Sequence, residues 1–447
     1  LTVLLTSDHQ LKEMTPANLQ KVVETVGQVD AVVYAGDLQN IPDRASEWFD
    51  DARGYAFFPA LQGRANHVLV RGQGDAETAT AYSGGALLQH APLFPVIGNH
   101  EVMGRFIPEN GLNAMYTDPR PRAVAEALYA AHAEVLNPTG DPEVRAAWIR
   151  DQSFNTITYE EIFTLPQDAP EGEQYYQLRF GDLHIVGLNA TRIWRIPRIN
   201  GPRNGKYAEI SANLNQPDQW SYGDFIFTDI AEGSVQYDWL WEVLRSESFR
   251  DAPVKLVVTH QTAHSLGDNA NPVFAHPVQV RDYDEAGRLT ALRYEYPLDQ
   301  DLFVRDINPL LAEAGVDLVH MGHSHVWSRV ETAEGLTVLE SSNVGNTYGC
   351  YVAGHDSRRN IPRGPGYDMA NYVTTGTPHG DTPVMPTEFA PMSAADGTPL
   401  PCIASNTLTA FSILQTGPEG AFVSSYVYDT ADPGSPVRLF DRFALGD

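Results

Sequence analysis

Positive charge is scarce in this chain: 30 lysines and arginines face 57 aspartates and glutamates, for a formal net charge of -27. Lysine is the scarcer of the two, confined to Lys12, Lys21, Lys206 and Lys255. A surface this acidic repels nucleic-acid phosphates and anionic lipid, so binding to DNA, RNA or a membrane surface is not expected. The bias toward arginine fits either a GC-rich genome or adaptation to salt, and the sequence does not separate them. No apolar run approaches the roughly 18–20 residues of a membrane span. There is no internal repeat and no low-complexity tract, and the 43% hydrophobic content is ample for a large core, so disorder is not expected either.

Cysteine is nearly absent. The two present, Cys350 and Cys402, flank a segment dominated by Gly, Pro, Asp and Asn. In an oxidising compartment they would close a loop of roughly fifty residues, worth about 3–4 kcal/mol in the chain-entropy model. In a reducing compartment they would be two free thiols. Bridge and export stand together, because disulfides persist only where it is oxidising. The expectation is a Cys350–Cys402 disulfide in a periplasmic or extracellular protein. The chain also begins at Leu1, already inside a strand pattern, so the natural N-terminus is expected to have been removed, and a signal peptide could have gone with it.

What is present is an alternation of strand and helix patterns. Leu1–Ser7, Ala31–Tyr34, Leu93–Ile97, Val254–Val258 and Asp317–Met321 are short apolar runs ending in Gly or polar residues, as expected of strands buried on both faces. Tyr175–Phe180 and Leu183–Leu188, joined by Gly181-Asp182, read as a hairpin. Helical periodicity covers Pro16–Val26, Ala123–Val135, Pro142–Arg150 and Gln236–Leu244. Late strands are expected at Leu336–Glu340, Thr407–Leu414, Ala421–Tyr428 and Val437–Phe443.

Five polar clusters sit at the ends of these strands: Ser7-Asp8-His9-Gln10, Gly36-Asp37-Leu38-Gln39-Asn40, Gly98-Asn99-His100-Glu101, Thr259-His260 and Gly322-His323-Ser324-His325. Ligands of open α/β sheets bind outside the carboxyl ends of the strands, so all five point to one rim. Oxygen and imidazole donors in this mixture suit divalent metals such as Mn, Zn, Fe or Ni. Taken singly, Asp8 or Asp37 reads as a turn residue, and His323 or His325 as a hydrogen-bonded histidine. Five blocks in order, each at a strand end, read as a metal site.

Order and content resemble the calcineurin-like metallophosphoesterase superfamily, whose blocks run D-x-H, G-D-x-x-D/N, G-N-H-E/D, an isolated His and G-H-x-H. Four blocks match; the first departs, with Gln10 where the family usually has His. Tyr175-Tyr176 with Phe180-Gly181-Asp182-Leu183-His184 resembles the family's central hairpin, and Gln236 with Trp239-Leu240 its following helix. The resemblance runs from Leu1 to about Ser342, apart from Phe49–His90 and Arg105–Glu173, and does not extend over Gly345–Pro401. It implies an α/β fold of two mixed β-sheets packed as a sandwich and flanked by helices. Residues 1–447 would form one catalytic domain with large insertions near 49–90 and 105–173 and a loop-rich segment near 345–401.

The resemblance further implies two divalent ions. Asp8, Gln10 and His325 would hold the first, Asn99, His260 and His323 the second, and Asp37 would bridge them. A metal-bridging hydroxide would attack a small phosphomonoester or phosphodiester, with His100, oriented by Glu101 or not, assisting the leaving oxygen. Gln10 can ligate through its carbonyl oxygen, a weaker donor than imidazole; the opposite reading is a degenerate or single-metal site in a binding protein. A nuclease of the same superfamily is a further alternative, disfavoured by the acidic charge. Asn40 stands where iron-tyrosinate members carry Tyr, which argues against a purple acid phosphatase site. His264, one short turn past His260, would contact substrate, stand behind a ligand as its partner, or be purely structural. Arg192 and Arg195, in a basic run with Arg198, Arg203 and Lys206, would grip an anionic group or simply balance local acid charge.

Overall fold

The computed structural model describes residues 1–74, 77–196, 205–269, 273–354, 366–371 and 378–446. Alternation along the strands decides the layers. In Thr2–Thr6 and Ala31–Tyr34, Val3, Leu5, Ala31 and Val33 face the space between two sheets. Leu4, Val32 and Tyr34 face the other way and pack on Leu19 and Val22 of the helix Thr15–Val26. The second sheet repeats the scheme: Leu183, Ile185, Leu256 and Leu318 face the first sheet, while Val186, Val257 and Val319 pack on Trp239, Leu240 and Leu244 of the helix Val235–Arg245. Two sheets buried on both faces, with helices outside, follow from this period of two.

The first sheet has six strands in the order Arg438–Leu445, Gly420–Asp429, Leu408–Gly417, Thr2–Thr6, Ala31–Tyr34, Leu93–Pro95. The second has eight: Thr382–Pro383, Trp327–Glu331, Thr337–Ser341, Leu318–Met321, Val254–Val258, Leu183–Gly187 and Tyr176–Phe180 in order, with Cys402–Ile403 pairing Trp327–Glu331 off this path. Thr2–Thr6, Ala31–Tyr34 and Leu93–Pro95 run parallel, as do Leu183–Gly187, Val254–Val258, Leu318–Met321 and Thr337–Ser341. Their carboxyl ends therefore deliver the five polar clusters to one rim.

Most expected elements are present within a residue or two; Leu93–Ile97 shortens to Leu93–Pro95. The stretch 49–90 holds a helix, Phe57–Leu61, and a hairpin of His67–Arg71 with Thr78–Tyr82. Several elements lacked a sequence signal, among them a strand and a hairpin of the second half. Trp327–Glu331 pairs with Thr337–Ser341 although it follows the last histidine block with no apolar run. The hairpin Val278–Tyr283 and Leu289–Glu295 is polar and largely exposed.

Cys350 and Cys402 form a disulfide with Cα atoms 6.8 Å apart. Cys402 lies opposite Ser328, and Cys350 bridges to Gly267, so the bond ties the loop-rich segment to the second sheet. Among the described residues no helix is long and apolar enough to cross a membrane.

Candidate active site

The rim is built from tight turns in which side chains give way to backbone. A Cβ on Gly36 would lie 2.8 Å from both the Gly98 nitrogen and His260 Nδ1, at a φ of +82°. Only glycine fits there. Ten described residues that are not glycine have positive φ, and five of them stand here: Asp8 (60°), Gln10 (34°), Asp37 (59°), His323 (85°) and His325 (56°). Such backbone costs roughly 1–3 kcal/mol per residue and persists where the surroundings over-determine it. All five belong to the expected ligand set.

The turns are pinned from behind by two buried carboxylates. Glu101 accepts the backbone N–H groups of Asp37 and Leu38, each at 2.8 Å, and of Gly98 at 2.6 Å. Glu340 accepts from the Ser324 nitrogen at 2.8 Å and from Ser265 Oγ at 2.7 Å. Burial pushes both acids up to about 8, against these hydrogen bonds. Glu101 therefore holds the Asp37 turn rather than orienting His100.

The structure brings the seven expected ligands to one place. Asp37, His260 and His323 offer ligand atoms that all lie within 4.8 Å of one another. His260 Nδ1 donates to the Ala35 carbonyl at 2.7 Å, which leaves Nε2 facing Asp37 Oδ1 at 3.2 Å and Asn99 Oδ1 at 3.1 Å. On the other side His325 Nδ1 donates to the Asn346 carbonyl at 2.8 Å, and its Nε2 lies 3.5 Å from Asp8 Oδ1. The Gln10 amide donates to Asp37 Oδ2, so Asp37 touches both halves.

The charges in this cluster show what it can hold. Burial, with the charge of Asp37 added, pushes the Asp8 carboxyl up to about 7 against the pull of His260. Burial also opposes ionisation of Asp37, but His260 and His100 outweigh it and hold Asp37 well below the usual carboxylate range. Burial disfavours the His260 cation, yet Asp37 and Asp8 raise it to about 10. Burial keeps His323 well below its ordinary value and His325 down at about 3, so both present neutral lone pairs. Asp8 Oδ1 is buried without a hydrogen-bond partner. A buried orphan of this kind beside imidazole nitrogens fits a cation. The donor set, two carboxylates with imidazoles and amides, suits a borderline divalent ion.

His100 stands next to this cluster. Its nitrogen donates to Asp37 Oδ1 at 2.9 Å, and its Nδ1 meets the Asn40 carbonyl at 2.7 Å and the Tyr116 hydroxyl at 3.0 Å. Nε2 is the nitrogen left over. Burial, with the Arg195 charge, lowers its pKa to about 4. Arg195 stacks 4.1 Å over the Tyr116 ring and donates to the Asn99 carbonyl at 2.5 Å, so it belongs to the rim.

Two expected substrate contacts are corrected. His264 is 2% exposed, and its ring meets Asp381 Oδ2 at 2.8 Å through Nδ1 and Asn308 Nδ2 at 2.7 Å through Nε2. With both nitrogens engaged by protein, it ties the loop-rich segment to the scaffold, which is the structural role. Arg192 is 4% exposed, donates to the Val273 carbonyl at 3.0 Å, pairs with Asp224 at 3.8 Å and lies 4.9 Å over Phe274. Lys206 also pairs with Asp224, at 3.0 Å. Arg192 is thus packed beneath the rim. Arg198 and Arg203 lie outside the described residues.

Sequence reasoning missed several neighbours. Tyr116 comes from a stretch without motif or period. The Gln261 amide sits on the His323 ring, 2.9 Å from Nδ1. Its only signal was adjacency to His260, while Glu340 was legible only as a charged residue ending an apolar strand.

Two sheets with a turn-borne cluster of carboxylates, imidazoles and amides at their common rim define a metallophosphoesterase type of protein. Residues 1–327 match the family described as Calcineurin-like phosphoesterase, and the chain belongs to that family. No curated protein matches it. Among solved structures it is similar to a purple acid phosphatase from yellow lupin (Lupinus luteus) seeds, with 12% identity over 99% of this chain and 53% of that one and a TM-score of 0.46. It is also similar to a dimetal phosphatase from Danio rerio, with 12% identity over 99% and 98% of the two chains and a TM-score of 0.37. The chain spans about half the length of the lupin enzyme that it matches.

Proposed function

We propose that the chain, as one catalytic domain, hydrolyses small phosphomonoesters or phosphodiesters with two divalent ions. The observation that carries this is Asp37, whose carboxylate meets His260 through one oxygen and the Gln10 amide through the other. Asp8, Gln10 and His325 would hold one ion, Asn99, His260 and His323 the other, with Asp37 shared. Ions held there would supply charge to the phosphoryl oxygens and lower the pKa of water. Arg195 meets the phosphoryl group from the Asn99 side. His100, fixed through Nδ1, turns Nε2 to the leaving oxygen; the negative charge of a bound phosphate favours the imidazolium that burial otherwise disfavours. The Cys350–Cys402 bond supports a periplasmic or extracellular protein.

The test is metal removal followed by reconstitution. A chelated sample should hydrolyse no phosphoester, and Mn²⁺, Zn²⁺, Fe²⁺ or Ni²⁺ should restore hydrolysis of mono- or diesters. Failure of every metal with every ester rejects the reading. The affinity should also depend on pH in a defined way. Binding must displace a proton from Asp8 below about pH 7 and from His260 below about pH 10. Affinity should therefore fall as pH falls, by about tenfold per unit between pH 7 and 10 and more steeply below 7. Calorimetry in buffers of different ionisation enthalpy counts these protons, and binding without proton release would exclude Asp8 and His260 as ligands. For the compartment, protein isolated from its native source should show two alkylatable thiols only after reduction, by intact mass. Thiols that alkylate without reduction would remove the argument for export.

A further inference from the structure

Gln10 and Leu11 both have positive φ, 34° and 54°, so the chain doubles back over the rim before the helix Thr15–Val26 begins. Lys12 lands on this bend, its nitrogen donating to the His9 carbonyl at 2.5 Å and its carbonyl accepting from Thr15 at 3.1 Å. Its half-buried side chain lines a cleft of about 560 Å³ together with Gln10, Asn40, Tyr55, Asn346 and Asn406. The adjacent acid is not its partner, because Glu13 pairs with Arg71 at 2.6 Å. Among the described residues the Lys12 ammonium has no hydrogen bond or ion pair. Its charge nevertheless acts on His325 and His100, and the charges of Asp8 and Asp37 act on it. A partly desolvated ammonium that faces a cleft and lacks a fixed partner is a site for a substrate anion.

We propose that Lys12 binds a phosphoryl oxygen of the substrate and selects phosphomonoesters over diesters. This rests on the hydrolase reading above and deepens it. At pH 8 a monoester is a dianion and a diester a monoanion, so a fixed ammonium attracts the first about twice as strongly. The monoester also keeps a third charged oxygen that the diester has alkylated. In a chain with a net charge of -27 the dianion meets the greater long-range repulsion, which makes a local cation count for more. Arg195 supplies positive charge on the Asn99 side, and Lys12 supplies it on the Gln10 side.

The experiment compares Lys12→Met and Lys12→Arg with wild type, as the full chain reconstituted with Mn²⁺, on p-nitrophenyl phosphate and bis(p-nitrophenyl) phosphate at pH 8. Lys12→Met should lower kcat/KM about 10²-fold for the monoester and less than about threefold for the diester. Its inhibition constant for inorganic phosphate should rise about tenfold or more, and Lys12→Arg should restore monoester turnover to within about tenfold of wild type. The ratio of the two kcat/KM values cancels any loss of folded or metal-loaded protein, so misfolding cannot imitate the effect. An unchanged ratio in Lys12→Met, whether both activities fall together or neither falls, overturns the assignment. A wild type that hydrolyses neither ester instead overturns the hydrolase reading.

Discussion

Asp37→Ala should abolish phosphoester hydrolysis and metal binding together. Asp37 Oδ1 lies 3.2 Å from His260 Nε2 and accepts the His100 nitrogen at 2.9 Å, and Oδ2 accepts the Gln10 amide. Asp8, the other carboxylate of the cluster, lies beside the His325 ring but meets His323 only through its backbone nitrogen. Two cations about 3.5–4 Å apart repel each other, and without a shared anion neither site should fill. Asp37 also sits at a φ of 59°, where alanine is strained, so Asp37→Asn is the cleaner variant because asparagine tolerates that backbone. It should keep the fold while losing both ions, as read by elemental analysis. The stabilisation that added metal gives wild type, about 2.7 kcal/mol at a hundredfold excess over Kd, should vanish from its thermal unfolding curve. Two retained ions with near-normal turnover in Asp37→Asn would show that the shared-ligand allocation is wrong.

His100→Ala should give the opposite pattern, with both metals retained and turnover lost. His100 contributes no ligand in the proposed allocation, and its ring is held from outside the cluster by the Asn40 carbonyl and Tyr116. Loss of a positioned acid or base lowers turnover about 10²–10⁴-fold. The loss should be largest for alkyl phosphates, whose leaving oxygen needs a proton, and smallest for p-nitrophenyl phosphate, whose leaving group departs as an anion. A series of esters with graded leaving-group pKa measures this slope. An equal loss across the series would leave His100 an electrostatic role and remove the proton transfer.

The fold and the gathering of donor side chains at one rim were legible in the sequence because both are local. Strand alternation such as Leu4 against Val3 and Leu5 reports which faces are buried, and Gly36, Gly98 and Gly322 mark strand ends where the chain must turn tightly. Parallel strands then carry Asp8, Asp37, Asn99, His260 and His323 to the same rim by topology alone. The neighbours of that rim were not legible, because each is set by a contact between distant segments. His264 and Arg192 look like cleft residues by proximity to the motifs, but Asp381 and Asn308 enclose the first, while Val273, Asp224 and Phe274 enclose the second. Tyr116 reaches His100 from a segment with no motif, and the acid next to Lys12, Glu13, pairs with Arg71 instead. Sequence by itself determined which donor side chains end the strands and on which edge they stand, since periodicity and turn chemistry act over a few residues. Tertiary structure alone decided which cations and imidazoles burial and pairing have already claimed, since the contacts that do so span from 16 residues (Tyr116 to His100) to 117 (Asp381 to His264).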